Sequence, residues 1–120
     1  MEIRKDIHQG RARLALAGRF DFNAHRDFRL ASESVLQDPA MRELDIDFSR
    51  VDYLDSSALG MLLLLREKAE AVGKHIVLSG VQGTVKQVLA IANFGKLFTL
   101  NEQAASVSPA ATGGLGDTAR

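Results

Sequence analysis

Between Glu43 and Val51 the chain alternates without a break: Leu44, Ile46 and Phe48 fall on one side of an extended backbone, Asp45, Asp47 and Ser49 on the other. A parallel strand covered by helices on both faces reads as a continuous apolar run instead. This strand is therefore expected to have one wet face, and the helices of the domain to pack on one face of its sheet. The rest of the chain supplies the partners. Arg11 to Phe20 alternates as well, with Ala12, Leu14 and Leu16 on one side and Arg13, Ala15 and Ala17 on the other; with Ile3 to His8 upstream and Gln9-Gly10 between, it reads as a hairpin. From Asn23 the spacing turns helical, with Phe28, Ala31, Val35 and Leu36 in a stripe that Asp38-Pro39 ends. A helix from near Ser56 to Gly73, a strand over Lys74 to Ser79, a short helix over Thr84 to Ala92 and a short strand over Leu97 to Leu100 complete the series. The expected fold is α/β, ordered β-β-α-β-α-β-α-β, with a mixed sheet and helices packed on one face.

The 120 residues, 46% of them hydrophobic and 25% charged, suffice for one domain with a core. Beyond residue 102 the chain is mostly Ala, Ser, Gly and Thr, without aromatic residues, and too poor in apolar surface to offset the entropy of ordering it. The domain is expected over residues 1–100 and a disordered tail over 101–120. There is no cysteine, so thiol chemistry, disulfides and cysteine-based metal sites are excluded. The charged start, Met1-Glu2-Ile3-Arg4-Lys5-Asp6, and the lack of an apolar run near the roughly 20 residues of a membrane span make a soluble cytoplasmic protein the default. Zero formal net charge argues against nucleic acid as a partner. Charge is nonetheless uneven: residues 31–60 carry seven acids (Glu33, Asp38, Glu43, Asp45, Asp47, Asp52, Asp55) against two arginines, which suggests an acidic setting for the serines near the end of that segment.

Those serines belong to Asp55-Ser56-Ser57, which opens the apolar run Ala58 to Leu65. Placing Ala58 at 0° and advancing about 100° per residue, Met61, Leu62, Leu65, Ala69 and Val72 form a core stripe between about 300° and 40°. Leu64 at about 240° then shares a third, uncharged face with Ser57 and Gly60. A helix apolar nearly all round is either covered or offers a surface to a partner. Glycine inside a helix costs roughly 1 kcal/mol relative to alanine, so Gly60 suggests close approach by another backbone. Either Asp55 or Ser56 serves as N-cap; the three capping-type residues leave at least one hydroxyl over. A phosphate on Ser57 would sit at the positive end of the helix dipole, compatible with the fold, while adding about −1.5 to −2 charges to an apolar face.

These residues resemble a STAS domain, specifically the stand-alone anti-sigma factor antagonist type of bacteria, over essentially all of residues 1–100. The resemblance rests on Leu16-Ala17-Gly18-Arg19-Phe20-Asp21, the strand Leu44 to Phe48, Tyr53-Leu54-Asp55-Ser56-Ser57-Ala58-Leu59-Gly60, and Gly73-Lys74 leading into Ile76-Val77-Leu78. It implies that Ser57 is a phosphoacceptor with the Asp21 loop beside it. It further implies partner switching: the unphosphorylated protein binds an anti-sigma factor with serine kinase activity and frees a sigma factor, phosphorylation releases the partner, and a metal-dependent serine phosphatase resets the cycle. The residues expected at the partner surface are Asp21, Phe22, Asp55, Ser56, Ala58, Gly60, Met61 and Leu64. Ala58 stands where the family commonly has glycine. Some STAS proteins are instead constitutive subunits of transport or signalling assemblies, which is the alternative role.

Other chemistry finds little support. Asp45, Asp47, Asp52 and Asp55 do not match a response-regulator receiver, which would run through alternating βα units rather than start with a hairpin. His8, His25 and His75 lack metal-ligand spacing, and Gly80-Val81-Gln82-Gly83-Thr84 lacks the lysine of a phosphate loop. No nucleophile and base pair up in the sequence. An enzyme is not expected, nor a cofactor, a metal or a membrane partner.

Overall fold

The computed structural model describes residues 1–103. The chain runs β1 (Glu2–His8), β2 (Arg11–Phe20), α1 (His25–Leu36), β3 (Glu43–Leu54), α2 (Ser56–Ala71), β4 (His75–Ser79), α3 (Gly83–Ile91) and β5 (Thr99–Leu100), with 3-10 turns at Phe22–Ala24 and Phe94–Lys96. The five strands lie in the order β1-β2-β3-β4-β5. β1 is antiparallel to β2, and every later pairing is parallel. The expected order of elements and the mixed sheet are therefore what forms.

Local chemistry explains the turns. His8 pairs with Arg11 across a two-residue loop in which both Gln9 (φ 51°) and Gly10 (φ 80°) are left-handed, the geometry whose twist matches a hairpin. At the other end of the central helix Gly73 N–H donates to the Glu70 carbonyl and Lys74 N–H to that of Ala69, the paired bonds of a Schellman cap. Lys74 then reaches across with its Nζ to the carbonyls of Leu36 and Asp38, both at 2.6 Å, satisfying acceptors where α1 ends.

One apolar cluster holds the domain together. It takes Ala12, Leu14 and Leu16 from β2, Leu44, Ile46 and Phe48 from β3, and Ile76 and Leu78 from β4, all of one strand parity. The three helices cover that face with Phe28 and Val35, with Ala58, Leu62, Leu65 and Ala69, and with Val85 and Leu89. Phe20 bridges the layers, its ring centroid 4.9 Å from Phe28 and 6.2 Å from Phe48.

Four expectations change. The first helix begins with a 3-10 turn, so regular α-helix starts at His25 rather than Asn23. Val72 is exposed instead of core: it is the C-cap of α2, and the chain has already left the helical path there. Strand β5 shrinks to Thr99–Leu100 because Leu97 closes the preceding 3-10 turn. Finally, the opposite face of β3 is dry at its centre. Asp45 is only 2% exposed and Asp47 4%. A central strand has neighbours on both sides, and here Arg13 binds the Asp47 carboxylate while Ser79 Oγ donates to Asp45 Oδ1 at 2.6 Å. Short carboxylates between such neighbours are covered without any helix. Past the expected boundary at residue 100, Asn101 N–H donates to the Leu78 carbonyl and Gly80 N–H to that of Gln103. The rest of the expected tail lies outside the described residues.

Candidate functional site

The end of β3 and the start of α2 form the site. Asp55 has an extended backbone and its Oδ1 accepts from the Ala58 N–H at 3.0 Å, so it alone is the N-cap. The hydroxyls of Ser56 and Ser57 are not used in capping, and neither makes a hydrogen bond within the described residues. Ser57 is half-buried and Ser56 exposed. With Asp55 satisfying the third amide, the amides of the first two helical residues, Ser56 and Ser57, remain at the positive end of the dipole.

The register of the sheet brings the second loop here. Phe20 is aligned with Leu54, and the Asp55 N–H donates to the Phe20 carbonyl at 3.4 Å. Asp21 therefore stands beside the Asp55 loop. Its carboxylate caps the following 3-10 turn, with Oδ1 accepting from the Asn23 N–H at 3.0 Å and Oδ2 facing Arg19 at 3.5 Å. Arg19 also lies over the Tyr53 ring, 4.0 Å from its centroid. Phe22 projects outward, 71% exposed, and stacks with His25 at 6.2 Å.

Along α2 the surplus leucines split as the helical wheel requires. Leu62 and Leu65 are core; Leu64 is 55% exposed, and Gly60 is exposed on the same side. A Cβ placed on Gly60 meets nothing within 4 Å among the described residues, so no backbone of theirs outside the helix itself approaches it. Two expected contact residues change role. Ala58 is fully buried against the sheet and presents nothing to a partner. Met61 is core too, though it lines the floor of a shallow groove between α1 and α2 together with His25, Arg29, Leu64 and Lys68.

The expected acidic setting is narrower than the sequence suggests: Asp55 and Asp21 stand at the helix start, but other acids of the segment are engaged elsewhere. Glu33 pairs with Lys68, Glu43 with Arg11 and Asp47 with Arg13, while Asp38 caps the Ala40 amide. The groove is flanked by His25 and by Arg29 and Lys68, both of which pair with Glu33. Sequence proximity counted acids whose side chains point to other parts of the molecule.

Sequence reasoning missed one polar constellation, on the other face of the sheet. Burial pushes the Asp45 carboxyl above its ordinary value, opposed by the Ser79 hydrogen bond. Burial acts on Asp47 in the same direction, but the Ser49 amide and the Arg13 guanidinium outweigh it and hold that carboxyl below the ordinary value. Gly80, at φ +65°, closes the cluster, since a Cβ there would come within 2.7 Å of both Asp47 Oδ1 and the Ser49 nitrogen. The signal available was two aspartates in alternation on a strand flanked by an arginine and a serine in neighbouring strands, which only the register joins. Among the described residues no His, Cys, Asp or Glu group is arranged to hold a metal ion, and no helix is long and apolar enough to cross a membrane.

An antiparallel edge strand, a parallel remainder, helices on one face and a capped serine pair at the head of the central helix define a STAS-type domain. The family model described as "Mlab, STAS domain" matches residues 3–100, and the chain belongs to that family. It is 47% identical over 88 residues to a STAS-domain containing protein of Pseudomonas aeruginosa (strain UCBPP-PA14), covering 73% of this chain and 85% of that one. Among solved structures, the fold matches the anti-sigma factor antagonist SpoIIAA in its unphosphorylated form, at 21% identity and a TM-score of 0.66, over 82% of this chain and 86% of that one. The Bacillus cell fate determinant SpoIIAA in its phosphorylated form matches at 20% identity with the same TM-score, over 82% and 90%. The STAS domain of a SulP transporter from Vibrio cholerae matches at 22% identity and a TM-score of 0.65, over 82% and 77%.

Proposed function

We propose that the chain is a non-enzymatic anti-sigma factor antagonist whose binding is switched by phosphorylation of Ser57. In its unphosphorylated form it binds an anti-sigma factor with serine kinase activity, using Phe22, Gly60, Leu64 and the rim of the α1/α2 groove. Asp21, Asp55 and Ser56 shape the loop that holds the acceptor. The observation that carries this reading is the division of labour at the helix start: Asp55 caps α2 alone, leaving the Ser57 hydroxyl without an internal partner among the described residues. A phosphoryl group at the second helical residue lies where the dipole favours an anion, so the fold tolerates it. About −1.5 to −2 charges beside the exposed Leu64 then oppose a partner that must desolvate this face. A metal-dependent serine phosphatase would restore the binding form.

The test is intact-mass measurement after incubation with host lysate and ATP. A single added phosphate that disappears in Ser57→Ala supports the switch. Ser57→Asp is expected to weaken capture of the kinase at least tenfold, about 1.4 kcal/mol, with little change in melting temperature. No phosphate on the wild type under any growth condition, with the same helix face held in a stable complex, would point instead to a constitutive subunit.

A further inference from the structure

The edge of the sheet formed by β1 is self-complementary, and we propose that it joins two copies of this chain into a dimer with one continuous sheet. The hairpin fixes which atoms face outward. A two-residue loop closes on a hydrogen-bonded pair, here His8 and Arg11, and antiparallel ladders alternate such pairs with unbonded ones. Glu2, Arg4, Asp6 and His8 thus turn their amides toward β2, while Ile3, Lys5 and Ile7 turn theirs to the open edge. No other strand of the described residues flanks that edge.

Twofold antiparallel pairing of β1 with a second β1 must set outward residues opposite one another, which restricts the registers. With the axis at Lys5, Arg4 faces Asp6 of the second copy, Glu2 faces His8, and Ile3 faces Ile7, each relation occurring twice. Moving the register by two residues one way sets Arg4 on Arg4 and Glu2 on Asp6; the other way it sets Asp6 on Asp6 and Arg4 on His8. Like charges directly opposite are destabilising, so of these three registers, which overlap most of the strand, the one about Lys5 is favoured. Along the outer face the charges of Glu2, Arg4, Asp6 and His8 fall in an order that pairs with itself about Lys5. None of Glu2, Arg4, Asp6 and His8 has an ion-pair partner among the described residues.

The other face of the strand agrees. Ile7 is 43% exposed, and Leu30 of α1, 52% exposed, lines a groove with Ile3, Lys5, Asp27, Ala31 and Ser34. Pairing lays Ile3 against the second copy's Ile7 beside this groove and extends the apolar layer across the axis. The one like-charged contact, Lys5 on Lys5, falls where each Nζ donates to Ser34 Oγ at 3.2 Å with Asp27 in the same groove. The pairing supplies up to about six backbone hydrogen bonds. Two short strand edges bury less than the roughly 800 Å² per partner of a standard interface, so a reversible dimer with a Kd of roughly micromolar order is expected.

Sedimentation velocity of the full chain over concentrations up to about 1 mM tests this, with amide hydrogen exchange as a second readout. The wild type should dimerise, with protection of the Ile3, Lys5 and Ile7 amides rising with concentration. Arg4→Asp alone and Asp6→Arg alone should each be monomeric at the wild-type Kd, while an equimolar mixture of the two should form a heterodimer. Lys5→Pro, which removes an outward N–H and none of the backbone bonds to β2, should abolish dimerisation and keep the wild-type circular dichroism spectrum, with Lys5→Ala as the control for loss of the Ser34 contact. A monomer throughout the range, or a dimer that survives Lys5→Pro with no protection at these amides, overturns the proposal. No residue of β1 belongs to the Ser57 site, so the result is independent of the phosphorylation switch.

Discussion

Replacing Gly60 with alanine should make this protein more stable. Helix α2 runs regularly through this position, and the backbone there has no positive φ that would need glycine. Alanine is favoured over glycine in a helix interior by about 0.8–1.0 kcal/mol, because it loses less backbone entropy on ordering. The gain could be cancelled only by a collision, and among the described residues an added Cβ has no neighbour within 4 Å. The expected change is therefore about +1 kcal/mol, which for a domain of this size raises Tm by roughly 4–8 °C. Thermal melts followed by circular dichroism measure it, and urea unfolding should show a higher midpoint with an unchanged m-value. A lower midpoint would refute the reasoning, because it would mean that some part of the chain covers Gly60 in solution. The same variant separates fold from function. If the glycine is there so that a partner's backbone can come close, Gly60→Ala binds the partner more weakly while being more stable.

Three further outcomes rest on the same structure. Asp55→Ala removes the sole cap of α2 and should cost about 1 kcal/mol in urea unfolding, whereas Ser56→Ala should be nearly neutral. Gly80→Ala forces an unfavourable backbone and drives a methyl into Asp47 and Ser49; a loss of at least about 2 kcal/mol is expected, visible as a depressed Tm. The two buried aspartates should act oppositely with pH. The Asp47 carboxyl is held below its ordinary value of 3.8, so its stabilisation is present above that value and is lost as pH falls through the folded pKa. Asp47→Asn should thus be destabilised at neutral pH by about 2 kcal/mol, the deficit shrinking in acid. Asp45 is held above 3.8, so its contribution is fully present below 3.8 and lost as pH rises through the folded value. Asp45→Asn, whose carbonyl can still accept from Ser79, should gain stability relative to wild type as pH rises toward neutral in unfolding titrations.

The sequence by itself determined the order of elements and the side of the sheet that receives the helices, because alternation along β2 and β3 and the helical stripe of α2 are local periodicities. The capped serine pair was legible for the same reason, since a helix start involves only neighbours in sequence. Which residue does the capping was not: Asp55 and Ser56 are both competent, and the extended backbone at Asp55 decides it. Only the tertiary structure settled matters that depend on register and on cross-strand neighbours. Asp45 and Asp47 alternate as solvent-facing residues do, yet Arg13 and Ser79, brought alongside by β2 and β4, take them out of water. Ala58 lies next to Ser57 in sequence but turns onto the sheet, so adjacency misplaced it as a contact. Of the acids of residues 31–60, folding sends Glu33, Glu43 and Asp47 to basic partners away from the serines and leaves Asp55 at the helix start. Periodicity reports which face a residue occupies; what stands opposite it is a property of the assembled sheet, and at Asp45 and Asp47 it is the opposite neighbour that fixes the chemistry.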